Sequence, residues 1–211
     1  MPAVKQFDRK EVLDRAMRVF WERGYEATSI QNLVEATGIN RASLYATFGG
    51  KKELFLNSLS RYEEVVVKPL FAALDDPNPR RAIERMFAGI VRRVNDPAYP
   101  RGCFYTNTSL DCPVGGNAIG HAVAEFFQRQ ESALYRTIRR AQAHGVIDSR
   151  RNARALARFF QGVAHGLNVV NKANPDPAIL HDAVRVAMSV WDTGHAHPDD
   201  RPRPKLSIVR R

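Results

Sequence analysis

The sequence predicts an all-α protein: an N-terminal unit of three helices in a helix-turn-helix arrangement, then a longer all-helical region. Three observations carry the fold. Apolar residues recur at three- and four-residue spacing along most of the 211-residue chain. Glycines at Gly24, Gly38 and Gly49-Gly50 punctuate the first fifty residues where short helices must stop. Only "CFYTNTSLDCP", from Cys103, leans towards strand by its β-branched and aromatic content. It has no evident partner strand, so a short buried helix suits it better.

In chain order, Asp8 and Glu11 form a capping-box pattern ahead of Val12, Leu13, Ala16, Val19 and Phe20, which share one helical face. Gly24 ends that helix and Tyr25 packs back on it. Thr28 and Gln31 form a second capping box, followed by Ile30, Leu33 and Val34 and ended by Gly38. Asn40 caps a third, short helix with Leu44 and Phe48 turned inward. Lys51–Leu74 reads as one long helix that Pro69 should kink, since proline lacks the N–H and crowds the preceding turn. Further helices are expected near Arg80–Asn95, Ala118–His144, Asn152–Lys172 and Pro177–Trp191. The Pro- and charge-rich tail from residue 193 is expected to be disordered.

Net charge is +10, which attracts polyanions, but its placement is uninformative. Through Gly50 seven Lys/Arg face six Asp/Glu, so the N-terminal segment is nearly neutral. Two cysteines give no disulfide framework, and the start of the chain has no apolar signal segment. No apolar stretch reaches the length that spans a bilayer, so no membrane is expected and a cytoplasmic location is. Histidines lack ligand spacing, and no nucleophile–base pair or Gly-rich phosphate loop stands out; the expectation is no metal, no cofactor and no enzyme.

"GINRASLYATFGGKKEL", from Gly38, is the informative stretch. Two short helices joined by a tight glycine turn make a helix-turn-helix, whose second helix enters the major groove. Arg41, Ala42 and Ser43 open that helix, with Tyr45 and Thr47 on the same outward side. Arginine pairs with guanine, serine serves several bases, and small or methyl-bearing side chains touch thymine. Thr28 and Lys51 each stand at a helix N-terminus, where free N–H groups and the dipole favour phosphate.

The run "RAMRVFWERGYEATSIQNLVEATGINRASLYATFGGKKELF", Arg15–Phe55, resembles the DNA-binding domain of TetR-family transcriptional regulators. The resemblance implies a homodimeric regulator, usually a repressor, released from palindromic double-stranded operator DNA by a small-molecule effector. It implies DNA contacts at Thr28, Arg41, Ala42, Ser43, Tyr45, Thr47 and Lys51. The expected domains are 1–50 for DNA, 51–192 for ligand and dimer, and 193–211 as a basic tail. Beyond the first quarter the match is in layout, with "GCFYTNTSLD" similar to a helix of one branch whose usual glutamate is Asp111 here.

Candidate ligand-pocket residues are Phe87, Cys103, Phe104, Asn107, Phe127 and His165, apolar rings with a few polar anchors. Each has a competing role as core. Cys103 beside Arg101 suggests an alternative, a thiol or electrophile sensor switched by covalent modification. A Cys103–Cys112 bond does not suit one continuous helix, because nine residues place the two on opposite faces about 13 Å apart. A reading of another class is a helical small-molecule-binding protein or enzyme. Gly162 and Gly166, four apart in "FFQGVAHGLNVV", permit close helix approach, either within the chain or between two copies.

Overall fold

Asp8 opens the first helix, α1 (Arg9–Arg23), by accepting a hydrogen bond from the Lys10 N–H. The expected capping box is only half made: Glu11 turns along the helix to pair with Arg15 instead of returning to the cap. The computed structural model describes residues 7–111 and 117–191. It contains α2 (Ile30–Thr37), α3 (Arg41–Phe48), α4 (Lys51–Tyr62), α5 (Lys68–Phe71), α6 (Pro79–Val94), α7 (Phe104–Asp111), α8 (Ala118–Ala143), α9 (Ala153–Ala173) and α10 (Pro177–Met188). No strand occurs among the described residues. Cys112 and the tail from residue 193 lie outside them, as do His195 and His197.

The second cap differs from expectation by one residue. Ser29, not Thr28, caps α2, and Asn32, not Gln31, closes the box. Gln31 instead donates to Glu35 one turn on. Thr28 is fully buried, and its hydroxyl donates to the Gly24 carbonyl at 2.7 Å.

Pro69 does disturb the long helix, but the adjustment falls ahead of it. After Tyr62 the chain widens into a π-helical turn, Glu63–Val67, then runs through α5 and a 3₁₀ turn, Ala72–Asp75. Widening the turn is one way to accommodate a ring that would crowd a regular α-turn. The strand-leaning stretch is α7, a helix buried from Phe104 to Thr108.

Two apolar cores result. The first joins α1–α4 to α7 and the start of α8, through Phe20, Trp21, Leu44, Phe55, Phe104 and Phe126. Some of its rings meet edge-on, Phe20–Phe55 at 4.9 Å and Phe55–Phe104 at 5.3 Å, and others stack, Tyr105 on Phe126 at 3.7 Å. The second joins α6, α8, α9 and α10 through Phe87, Leu134, Phe160, Leu180 and Trp191. Leu70 and Phe71 of α5 pack against both. The helix leaving the N-terminal unit therefore runs directly into the seam between the cores.

Candidate nucleic-acid interface and the cavity behind it

Asn40 accepts from the Ser43 N–H and starts α3. Leu44 and Phe48 are buried, which fixes the helix against its neighbours and decides what remains outside. Arg41, Ala42 and Tyr45 are exposed, and Ser43 and Thr47 are half-buried. The Arg41 guanidinium lies 5.6 Å from the Tyr45 ring centre, a cation–π contact one turn apart. Both side chains can be aimed together at an approaching duplex.

Gly49, with φ 91°, turns the chain from α3 into α4 in a conformation that other residues rarely adopt. Gly50 supplies no side-chain cap, so first-turn N–H groups of α4 are free for an anion. Lys51 is held beside them: its Nζ lies 4.5 Å over the Tyr25 ring and donates to the Glu26 carbonyl at 3.4 Å. These features place a cation and a helix N-terminus at one edge of α3. On the other edge Ser29 is exposed at the start of α2.

Of the seven residues expected at DNA, six lie on this face or border it. Thr28 does not: with no exposed surface and its hydroxyl committed, its side chain cannot meet a phosphate. Ser29 is the exposed hydroxyl of the two. The pair Ser29…Asn32 was legible in "TSIQN", but two adjacent hydroxyl residues offer two registers, and only packing against Gly24 selects one.

The candidate ligand residues scatter more widely. A cavity of about 30 Å³ lies at the seam between the cores, walled by Tyr62, Arg93, Cys103, Gln130, His165 and Asn168, with Val67, Leu70, Phe71 and Ile90 on its apolar side. Cys103 and His165 line it, as expected. Phe127 stands next to it, its ring 4.6 Å from that of His165. Phe104 does not line it; it belongs to the first core's ring cluster. Asn107 is also elsewhere, donating to the Arg101 carbonyl and filling the space beside Gly102. Phe87 packs on Phe160 in the second core.

The cation in that cavity wall is Arg93, not Arg101, which is exposed. Arg93 donates to the Gly102 carbonyl at 2.9 Å and to the Asn168 side-chain oxygen, and lies over the Trp21 ring. Sequence reasoning missed it. The signal was helical phase: Met86, Ile90 and Arg93 fall at i, i+4 and i+7 on the buried side of α6. His165 meets the Thr106 hydroxyl at 2.9 Å through Nδ1, and burial pushes its pKa down to about 4, so the ring is neutral near pH 7. Burial raises the Tyr62 phenol well above its usual value, so it too stays neutral.

A second surface feature lies on α9 and α10. Phe159, Val170, Ile179 and Val186 are exposed around a groove of about 500 Å³, almost wholly apolar. A Cβ on Gly162 or Gly166 would meet nothing within 4 Å, so these glycines serve no close packing within the chain. Among the described residues no group of three or more His, Cys, Asp or Glu comes together as a metal site would require, and no helix is long and apolar enough to cross a membrane.

Comparison with known proteins agrees with this geometry. Residues 12–57 match the model for bacterial regulatory proteins of the tetR family, and residues 79–187 match the tetracyclin repressor-like C-terminal domain. The HTH-type transcriptional regulator YezE of Bacillus subtilis is 34% identical over 196 residues, covering 89% of this chain and 98% of its own. The HTH-type transcriptional repressor ComR of Escherichia coli is 30% identical over 189 residues, covering 89% of this chain and 90% of its own. Among solved structures, the regulator CifR, a cysteine mutant complexed with 26-base-pair operator DNA, superimposes with a TM-score of 0.83. It is 31% identical and covers 89% of this chain and 98% of its own.

Proposed function

The chain belongs to the tetR family of bacterial transcriptional regulators, with DNA as its partner, and on that premise we propose that it is a homodimeric repressor released from a palindromic operator by a small molecule. The observation that carries the DNA part is the division of α3: Leu44 and Phe48 inside, Arg41, Ala42 and Tyr45 outside. Arg41, Ser43 and Ala42 read base edges; Tyr45, Thr47, Lys51 and the Gly50 end of α4 hold phosphates. The working division is residues 1–50 for DNA and 51–192 for effector and dimer, with α4 joining them.

The apolar groove of α9 and α10, with Gly162 and Gly166 open to solvent, supports pairing of two copies into a four-helix bundle. Twofold symmetry of the protein then matches twofold symmetry of the operator. An effector that binds better when the two recognition helices are wrongly spaced shifts the population away from DNA. Moving that equilibrium from 99:1 to 1:99 takes about 5.5 kcal/mol of differential binding. The test is selection of binding sites from random duplexes, followed by a salt series on the winner. A twofold-symmetric site whose affinity falls steeply with salt is expected; enrichment of no symmetric site would falsify the reading.

A second reading is supported by the position of Cys103, buried in the cavity wall with Arg93 and Tyr62 and leading into α7. Covalent modification there would enlarge a side chain against a cavity of only about 30 Å³. An electrophile should then abolish operator binding in the native chain and spare Cys103→Ser; equal inhibition of both removes this reading. The enzyme alternative drops out, because the family consists of regulators.

A further inference from the structure

Arg93 is an unusual thing to find inside a protein. It is 7% exposed, and among the described residues no carboxylate pairs with it. Its partners are a carbonyl, an amide oxygen and the face of Trp21. These satisfy part of the guanidinium and neutralise none of its charge. Its Nε is buried without any partner. Taking an unpaired cation out of water costs several kcal/mol, so a buried charge is normally matched by an opposite one.

A second group in the same cavity wall is unfinished. His165 Nε2 is buried with no partner. The ring is neutral and the Thr106 hydroxyl is at Nδ1; if that hydroxyl donates, the free Nε2 carries the proton and is a second donor. Gln130 of α8 also lines the cavity and adds an amide to its polar side. Arg93 is the one formally charged side chain among those lining the cavity. Tyr62, Cys103 and Asn168 complete the polar part of the wall, and Val67, Leu70, Phe71, Ile90 and Ala164 supply its apolar part.

We propose that this cavity is a binding site for a small organic carboxylate, with the acid group on Arg93 and the body of the molecule against Val67, Leu70 and Phe71. The proposal deepens the effector-release reading and rests on it. A carboxylate accepts from guanidinium and imidazole N–H groups at once, which a neutral ligand of the same shape does less well. The cavity of about 30 Å³ has room for the acid group alone. The apolar body must therefore displace the wall, which on the side of Val67, Leu70 and Phe71 is built by the π-helical turn and α5. That segment continues α4, whose first residue is Lys51. Occupancy at Arg93 and the position of the DNA-facing edge are thus joined by one run of helix.

The experiment pairs each acid with its neutral amide: acetate and acetamide, butyrate and butyramide, benzoate and benzamide, titrated calorimetrically into the full-length protein. At least one acid should bind tenfold or more tightly than its amide. Arg93→Lys, which keeps the charge, should retain a preference for the acid; Arg93→Gln should bring acid and amide to within about twofold. If R93Q does not fold, the wild-type ratio and R93K decide. No acid exceeding its amide, or a preference unchanged in R93Q, overturns the proposal. Operator binding is read in parallel. An acid that binds with Arg93 dependence yet leaves the operator complex intact upholds the site and removes effector release. A neutral compound that releases operator, with no acid preference, does the reverse.

Discussion

Asp111, the last residue of α7, lies against Gly24 at the end of α1: a Cβ at Gly24 would stand 2.9 Å from Asp111 Oδ2. The helix that begins beside the cavity at Cys103 thus ends on the turn that leads into the helix-turn-helix. Tyr25, next in that turn, packs on Phe55 of α4 and under Lys51. Two contacts thus connect α7 with Lys51, the residue proposed to hold phosphate.

Gly24→Ala should therefore be costly, chiefly through the backbone. Its φ of 80° with ψ 174° is a region for glycine alone, a strain of about 1–3 kcal/mol, while the new methyl only pushes aside the carboxylate tip of the exposed Asp111. Thermal melts should show the loss. Adding Asp111→Ala should recover only part of it, because the backbone strain remains; full recovery would mean that the collision was the whole effect.

On the DNA face, Arg41→Ala and Lys51→Ala should differ in kind. If Arg41 reads a base, its loss costs about 1–3 kcal/mol and relaxes sequence preference at one position, while Lys51→Ala weakens all duplexes alike and lowers the salt slope by about 1. Titrations of operator and scrambled duplex at several salt concentrations separate the two. Identical behaviour of both variants would reassign Arg41 to the backbone.

Arg61 of α4 grips Asp14 of α1 through Nε and one Nη, at 2.7 and 3.1 Å, and also reaches Glu64. The pair raises the Arg61 pKa above its usual value, chiefly through the Asp14 hydrogen bonds. Bidentate and largely shielded on the arginine side, it should exceed a typical surface bridge. A double-mutant cycle with Arg61→Ala and Asp14→Ala should return a coupling of roughly 1 kcal/mol. A coupling near zero would make it an ordinary surface pair.

Stability should fall with acid in two steps. His165 has its pKa lowered to about 4 by burial, against about 6.5 unfolded, so between these values the unfolded state binds the extra proton. Stability then rises with pH across that window and is lost as pH falls, by on the order of 2–3 kcal/mol in total. Asp76 and Asp148 are held at about 2, first by hydrogen bonds from Arg81 and Arg150 respectively, so their contribution disappears lower, between about 4 and 2. Denaturant titrations from pH 7 to 3 should show that His165→Gln flattens the upper step alone.

Val186 is 62% exposed on the apolar face of α10. Val186→Glu places a charge in the proposed helix bundle and should raise the dimer dissociation constant more than tenfold, with loss of operator binding. Sedimentation velocity at several concentrations reads this directly. An unchanged sedimentation profile would move the dimer surface elsewhere.

The exposed side of α3 was largely legible in the chain because its signals are local. Gly38, Asn40 and Gly49 set the ends of α3, and the i, i+4 pair Leu44 and Phe48 sets its phase. Those few residues already determine that Arg41, Ala42 and Tyr45 face outward. Helix limits elsewhere followed from the same kind of evidence, and Pro69 foretold an irregularity that falls one turn ahead of it, at Glu63–Val67.

What failed was whatever depended on a distant partner. Thr28 and Ser29 are equivalent as caps until Gly24 accepts one hydroxyl. Phe87 and Phe104 look alike in sequence, yet fell into different cores. Arg93 and Arg92 are adjacent, and only the meeting of α6 with Gly102 and Asn168, 75 residues on, buries one and leaves the other in water. The sequence by itself determined the helices and the outward face of α3, because hydrogen-bond caps and apolar period act within a turn or two. The cavity and its uncompensated charge were decided by tertiary packing alone, since burial is a property of what arrives from elsewhere in the chain.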